Sequence, residues 1–209
     1  MKILVTGGAG FIGKYLVKSL LKNNTVTIYD NLESSSEKSI EPLVKQGVCF
    51  VKGDILDFEL LRKSSVGYDS VIHLAAKSDV VESTLHPEIT EKTNVEGTEN
   101  VLKCCVENDI KKIVFASSAA VYGDSAEIPV TEKSLTNPIS PYGKSKLSAE
   151  KIIEKTCKEN NVGYVIFRMF NVYGKGQNEN YSGVITKFLR NITNDEPLVI
   201  YGNGEQTRD

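Results

Sequence analysis

Histidine and cysteine, which supply most transition-metal ligands in proteins, are scarce in this sequence. The 209 residues include two histidines and four cysteines, and none of them stands at the short spacings that hold a metal ion. We therefore expect no metal site, and we interpret the cysteines as reduced thiols of a cytoplasmic protein. The cysteines are Cys49, Cys104, Cys105 and Cys157.

Two further absences exclude classes of partner. The formal net charge is −2, and the pair Lys111-Lys112 is too short to form a basic patch, so we expect no nucleic-acid partner. No apolar run approaches the length of a membrane span. The first run, Ile3–Val5, ends in glycines, which is unlike a signal peptide. We therefore expect no membrane partner.

Glycines at intervals of three residues follow the first apolar run. Gly7 permits a sharp turn off a strand, Gly10 lets the backbone approach a diphosphate, and Gly13 lets the next helix pack close to the sheet. A second apolar run ends at Asp30, 23 positions after Gly7, where an acceptor for ribose hydroxyls is expected. The pattern predicts a dinucleotide site. The carboxylate favours NAD over NADP because it would repel a 2′-phosphate.

Segments with the periodicity of strands alternate with helical segments along most of the chain. This alternation, with short connections, is typical of a doubly wound α/β domain of the Rossmann type, a parallel sheet covered on both faces. We predict an NAD-binding domain over residues 1–174 and a looser substrate-binding region over 175–209. The predicted strands are 2–6, 25–29, 48–52, 70–74, 112–117 and 163–168, and the predicted helices are 11–22, 37–46, 57–65, 94–108 and 141–160.

Tyr142 and Lys146 carry the candidate chemistry. They are four residues apart at the start of a predicted helix, and therefore on one face of it. A nearby ammonium group lowers the pKa of a phenol, so we expect Tyr142 to act as a general base. Ser118 follows the fifth predicted strand, where its hydroxyl would hold a substrate hydroxyl against Tyr142. Together the three side chains predict oxidation of a substrate hydroxyl group.

Two other polar residues receive plainer interpretations. His73 ends an apolar strand, which favours a hydrogen-bonded structural histidine over a catalyst. Asn94 stands at the start of a predicted helix and serves either as a cap or as a site residue.

The chain resembles the extended short-chain dehydrogenase/reductase family and, within it, the nucleotide-sugar epimerases and dehydratases. The motifs that carry the resemblance occur in family order along the whole sequence. They are Thr6-Gly7-Gly8-Ala9-Gly10-Phe11-Ile12-Gly13, Tyr29-Asp30-Asn31, Gly53-Asp54-Ile55, His73-Leu74-Ala75-Ala76, Asn94-Val95-Glu96-Gly97-Thr98, Ser117-Ser118-Ala119-Ala120-Val121-Tyr122-Gly123, Tyr142-Gly143-Lys144-Ser145-Lys146 and Arg168-Met169-Phe170-Asn171-Val172-Tyr173-Gly174.

The resemblance implies roles for residues at matching positions. It implies a UDP-hexose substrate, a homodimer formed through helices 94–108 and 141–160, and a substrate-binding region that is incomplete at Asp209, because family members continue further. The implied catalytic residues are Ser118, Tyr142 and Lys146. The implied cofactor-binding residues are Gly7, Gly10, Phe11, Ile12, Gly13, Asp30, Asn31, Asp54, Ile55, Leu74, Ala75, Ala76, Tyr142 and Lys146, and the implied substrate-binding residues are Ser118, Asn171, Tyr201 and Arg208.

Ala119 and Ala120 bear on which reaction is implied. Dehydratases of the family place an Asp-Glu pair at these positions, and a methyl group cannot transfer a proton. A 4-epimerase needs only NAD and the Ser118, Tyr142 and Lys146 side chains. The resemblance thus implies an NAD-dependent 4-epimerase of UDP-glucose or its N-acetylated counterpart, acting through a transient 4-keto sugar. The alternatives are an NADPH-dependent reductase, a 4,6-dehydratase and a catalytically silent NAD-binding domain.

Overall fold

The structure is a computed structural model that describes residues 1–124, 128–177, 184–200 and 202–205. It divides into two compact units, Met1–Arg168 and Met169–Asp209. The strands are β1 (Lys2–Thr6), β2 (Thr25–Asp30), β3 (Cys49–Lys52), β4 (Ser70–His73), β5 (Lys112–Ser118) and β6 (Gly163–Met169). The helices are α1 (Phe11–Leu20), α2 (Glu37–Val44), α3 (Phe58–Ser64), α4 (Val80–Leu85), α5 (Pro87–Glu91), α6 (Gly97–Glu107), α7 (Pro141–Glu159) and α8 (Val184–Thr193), and a π-helical turn, Lys92–Glu96, precedes α6.

The strand order fixes where a ligand site can form. The strands form one sheet in the order β3-β2-β1-β4-β5-β6, and β1 pairs in parallel with both β2 and β4. The chain winds outward from β1 in one direction and from β4 in the other, so the order reverses between these two strands. In such sheets ligands bind outside the carboxyl ends of the strands at this reversal. The predicted doubly wound α/β fold is confirmed.

Apolar side chains bury both faces of the sheet. One cluster joins the strands to Val17 of α1 and Ile40 of α2, and the other joins them to Leu102 of α6 and Ile153 of α7. Leu102, Ile153 and Cys157, three apolar positions on the helices predicted to form a dimer, are at most 2% exposed. Their apolar stripe is therefore part of the chain's own core and is not available to a partner.

Helices α4 and α5 lie in a stretch for which the sequence analysis predicted no element. Their start signals are nevertheless present. Asp79 caps α4, since its carboxylate accepts a hydrogen bond from the Glu82 N–H at 2.8 Å. Pro87 occupies the first position of α5, where its fixed φ and missing N–H are no disadvantage.

The second unit also contains a helix that was not predicted. This helix is α8, and the side chain of its Asn191 donates to the Pro197 carbonyl in the turn that follows the helix, at 2.8 Å. Arg190 and Glu196 form an ion pair across the same turn, at 3.7 Å.

Candidate active site

The glycine turn between β1 and α1 is tightly packed. Gly7 has φ +70°, and a methyl group there would lie 2.5 Å from the Ala75 nitrogen. A methyl group at Gly13 would lie 2.5 Å from the Gly7 carbonyl oxygen and 2.7 Å from the Gly8 carbonyl carbon. The missing side chain at Gly13 thus lets α1 lie directly against the residues that follow β1, which agrees with the predicted close packing of this helix at the sheet.

Gly10 differs from its neighbours because a side chain there would meet little of the protein. It is the N-cap of α1 with an extended backbone, and no side chain in the described part of the chain caps this helix. A methyl group at Gly10 would have one near neighbour, the Gly7 oxygen at 3.2 Å. Free N–H groups and the positive end of the helix dipole, approachable without a Cβ in the way, suit a diphosphate. The turn therefore fits the diphosphate of NAD.

Replacing Gly10 with Ala tests this assignment. We expect the Kd for NAD to rise about tenfold or more, because the methyl group would occupy the space that a diphosphate needs. The free energy of unfolding should fall by roughly 1 kcal/mol or less, since one contact tightens. Calorimetric titration with NAD and urea unfolding measure the two quantities. Gly13→Ala is the contrast, with a larger loss of stability. Unchanged NAD affinity in Gly10→Ala would place the diphosphate elsewhere.

Asp30 lies beside the glycine turn at the end of β2. Its carboxylate accepts hydrogen bonds from the Ala9 N–H at 3.0 Å and the Leu32 N–H at 2.8 Å. Burial raises the pKa of this carboxyl, and the two backbone hydrogen bonds oppose the rise. The structure thus gives Asp30 a role that the sequence did not predict, which is to tie the glycine turn to the segment after β2.

The residues predicted to surround the cofactor follow neighbouring strands. The Asn31 side chain donates to the Asp54 carboxylate at 3.0 Å, and that carboxylate accepts from the Leu56 N–H at 2.9 Å. Ile55 is 4% exposed and packs against Gly97, where a methyl group would collide with it. At the carboxyl edge of the sheet the structure brings together Phe11, Ile12, Asn31, Asp54, Ile55, Leu74, Ala75 and Ala76.

Ser118 and Tyr142 meet between β5 and α7. The Ser118 side chain lies close enough to the Tyr142 phenol to influence its pKa, and the Ser118 hydroxyl accepts from the Ala120 N–H at 3.1 Å. Ser140 caps α7 by accepting from the Gly143 N–H at 3.0 Å, and the helix begins at Pro141, the predicted start. This start sets the position of Tyr142, and therefore which residue one turn later shares its face.

Lys146 is that residue, and its side chain is buried. Its ammonium group donates to the Ala116 carbonyl at 2.9 Å and lies 6.0 Å from the centre of the Tyr142 ring. Burial lowers the pKa of Lys146 to about 7, and the Glu150 carboxylate opposes this fall. Burial also raises the pKa of Tyr142, and the neighbouring Ser118 side chain opposes this rise. The expected lowering of the Tyr142 pKa by Lys146 is therefore not found in the chain alone.

A buried ion pair between Glu150 and Arg168, which was not predicted from the sequence, supports this cluster. Glu150 is 3% exposed, and its carboxylate accepts from Arg168 Nη2 at 2.8 Å and Nε at 3.0 Å. It also accepts from the Ser117 hydroxyl. Arg168 continues to the Tyr122 hydroxyl at 3.1 Å. The sequence pattern that could have placed Glu150, though not its partner Arg168, at this site is the spacing of Tyr142, Lys146 and Glu150 at intervals of four residues on one helix face.

His73 and Asn94 are both buried and hydrogen-bonded. The His73 ring bonds to Thr6 Oγ1 at 2.7 Å and to Thr98 Oγ1 at 3.0 Å, which agrees with a structural histidine. Asn94 lies in the π-helical turn and caps no helix. Its side chain binds both backbone groups of Lys77 and donates to Ser145 Oγ at 2.9 Å, so it joins the segment after β4 to α7.

Burial of His73 makes the stability of the chain dependent on pH. Burial, with the charge of Lys146 as a second cause, lowers the pKa of His73 to about 3. The unfolded chain protonates this ring below about pH 6.5, so stability falls as the pH drops between these values. We expect a loss of roughly 2 kcal/mol in unfolding free energy between pH 7 and pH 5 from this group, measured by urea unfolding. An equal loss in His73→Gln would contradict this.

The remaining predicted residues belong to the second unit or fall outside the described part. Asn171 belongs to the second unit, and Tyr201 and Arg208 fall outside the described residues, so their substrate contacts remain predictions. Within the described ranges, no group of three or more His, Cys, Asp or Glu side chains could hold a metal ion. None of the helices seen there combines the length and apolar character needed to cross a bilayer.

The fold and this edge define a class of protein. A doubly wound sheet, a glycine turn at the reversal of strand order and a Ser-Tyr-Lys cluster beside it are typical of dinucleotide-dependent short-chain dehydrogenases/reductases. Residues 3–209 match the model of the NAD-dependent epimerase/dehydratase family. The chain belongs to this family, which confirms the predicted family and the predicted cofactor, NAD.

Three individual relatives show which members of the family the chain is similar to. The chain is 42% identical to a putative UDP-glucose 4-epimerase of Methanocaldococcus jannaschii, over 99% of this chain and 68% of that one. It superimposes with a TM-score of 0.95 and 38% identity on a UDP-N-acetylglucosamine 4-epimerase of Methanobrevibacter ruminantium, covering 100% of this chain and 67% of that one. A dTDP-glucose 4,6-dehydratase of Streptomyces venezuelae, solved with NAD bound, gives a TM-score of 0.92 at 32% identity, with 100% and 67% covered. The chain thus spans about two thirds of each.

Proposed function

We propose that the protein carrying this sequence is an NAD-dependent 4-epimerase of UDP-hexoses. The observation that carries the proposal is the grouping of Ser118, Tyr142 and the buried ammonium of Lys146 at the carboxyl edge of the sheet, next to a turn that fits a diphosphate. Two of the three relatives described above bear the names of UDP-sugar 4-epimerases, which supports this activity.

Each residue of the cluster has a part in the proposed mechanism. Tyr142 takes the proton from the sugar 4-hydroxyl as that carbon is oxidised, and returns it after the keto sugar has turned over. Ser118 hydrogen-bonds the same hydroxyl and aligns it with the phenol. The positive charge of Lys146, when present, favours the phenolate form of Tyr142. NAD, when bound, supplies hydride storage, and the glycine turn, Asp30, Asn31 and the residues after β3 and β4 would hold it.

The dehydratase alternative is disfavoured by two side chains. Ala119 and Ala120 form the 3-10 turn directly after Ser118, where neither can donate or accept a proton for loss of water. Asp30 stands where a 2′-phosphate would meet a buried carboxylate, which disfavours an NADPH-dependent reductase. A silent NAD-binding domain would have no need of the Ser118-Tyr142-Lys146 cluster.

The test is epimer formation without added cofactor. The protein would be incubated with UDP-glucose and, separately, with UDP-N-acetylglucosamine, and proton NMR would follow the galacto epimer. Formation of either epimer supports the proposal and identifies the sugar. Binding of NAD without epimer from either sugar would reject the 4-epimerase in favour of the silent domain. A product with a lost 6-hydroxyl would identify a dehydratase.

The predicted homodimer remains a proposal with a narrower basis. Val106 of α6 is 38% exposed, whereas Leu102, Ile153 and Cys157 on the same two helices face the core. A dimer through these helices would therefore use Val106 and the polar outer face of α7. Sedimentation equilibrium would decide, and a monomer at micromolar concentration would contradict it.

A further inference from the structure

An ion pair joins two segments on either side of the glycine turn. Lys77 Nζ donates to a carboxylate oxygen of Glu33. Lys77 follows β4 and Glu33 follows β2, and these strands flank β1 on its two sides. A link between the segments that leave β2 and β4 must cross the carboxyl end of β1, where the glycine turn and the start of α1 lie. The ion pair therefore spans the place that fits a diphosphate.

The backbone of Lys77 is held unusually well for a residue in an exposed segment. Asn94, which is 1% exposed, accepts from the Lys77 N–H at 2.8 Å and donates to the Lys77 carbonyl at 3.0 Å. A buried amide thus anchors the main chain of this lysine. The Lys77 and Glu33 side chains are 34% and 58% exposed, so both charged ends remain accessible to a ligand.

We propose that Lys77 binds the diphosphate of the cofactor and that Glu33 holds its ammonium group until the dinucleotide enters. The inference rests on NAD as the cofactor and does not depend on the 4-epimerase activity. An exposed ion pair contributes little free energy. An ammonium group facing a diphosphate forms a stronger, charge-assisted interaction, and the start of α1 lies beside it. Exchange of partners therefore favours the bound cofactor and releases the Glu33 carboxylate.

Single variants with opposite expected signs test the exchange. Calorimetric titration of the nucleotide-free chain would give Kd values for NAD, ADP and adenosine. We expect Lys77→Met to raise the Kd for NAD and ADP about tenfold and leave that for adenosine unchanged. Glu33→Gln should lower the Kd for NAD and ADP by about threefold, because it frees the lysine. In the double variant, Glu33→Gln should have no further effect, because Glu33 acts through Lys77.

Lys111→Met is the matched control. Lys111 pairs with Asp109 just before β5, at the amino edge of the sheet, so its removal deletes the same charge without touching the site. We expect its NAD affinity to be that of the wild type. If Lys77→Met and Glu33→Gln both weaken the binding of NAD, the ion pair is merely structural and the proposal fails. It also fails if Lys77→Met weakens the binding of adenosine as much as that of ADP. A Lys77→Met protein that binds NAD with the affinity of the wild type would likewise contradict it.

Discussion

Replacing Tyr142 with Phe is expected to lower kcat for 4-epimerisation by about 10³-fold while NAD remains bound. The variant removes the phenol beside Ser118 that accepts the proton of the 4-hydroxyl in the proposed mechanism. The fold should be preserved because the ring is kept. Ser118 also keeps its hydrogen bond from the Ala120 N–H. The rate would be measured by proton NMR, and bound NAD by its absorbance after release.

Tyr68→Phe is the control for losing a phenol as such. The Tyr68 hydroxyl donates to Thr27 Oγ1 at 2.7 Å, away from the Ser118 cluster, and its loss should leave the rate unchanged. If the Tyr142→Phe protein epimerises the substrate at the wild-type rate, Tyr142 is not the group that transfers the proton. A Tyr142→Phe protein that has also lost NAD would show that the phenol holds the cofactor, and the drop in rate would then say nothing of proton transfer.

Local signals explain why the glycine turn and the shared helix face of Tyr142 and Lys146 could be predicted from the sequence. A glycine at position 7 indicates a positive φ, and Asp30 after an apolar run indicates the end of a strand. Both features depend only on residues nearby in the sequence. Tyr142 and Lys146 share a helix face for the same local reason. Helix α4 was missed although Asp79 and Glu82 supply a start signal, because its six residues are too few to show an apolar period.

Contacts between distant parts of the chain account for what the sequence could not predict. Glu150 and Arg168 are 18 residues apart on α7 and β6, and nothing local indicates that they pair. The same holds for Asn94, whose partner Lys77 follows a different strand. Burial accounts for the error at Tyr142, since the spacing to Lys146 says nothing about water, and desolvation is the largest influence on both pKa values.

Replacing Glu150 with Leu is expected to lower the free energy of unfolding by about 3 kcal/mol. The change leaves the Arg168 guanidinium, whose side chain is 21% exposed, without its carboxylate, and removes the acceptor of the Ser117 hydroxyl. Glu154→Leu is the matched control one turn further along α7. Glu154 pairs with Lys158 at 3.8 Å in an exposed position, so its loss should cost about 0.5 kcal/mol or less. Urea unfolding compares the two, and equal losses would contradict the importance of burial.

Glu150→Gln separates the charge of this residue from its shape. The amide keeps the volume and one acceptor oxygen, so it should retain more of the stability than Leu does. It removes the negative charge that opposes the fall of the Lys146 pKa, so that pKa should drop further below about 7. The ammonium form that favours the Tyr142 phenolate would then be scarcer at neutral pH, and kcat should fall there. A pH–rate profile identical to that of the wild type would mean that Glu150 stabilises the fold but does not influence the pKa of Lys146.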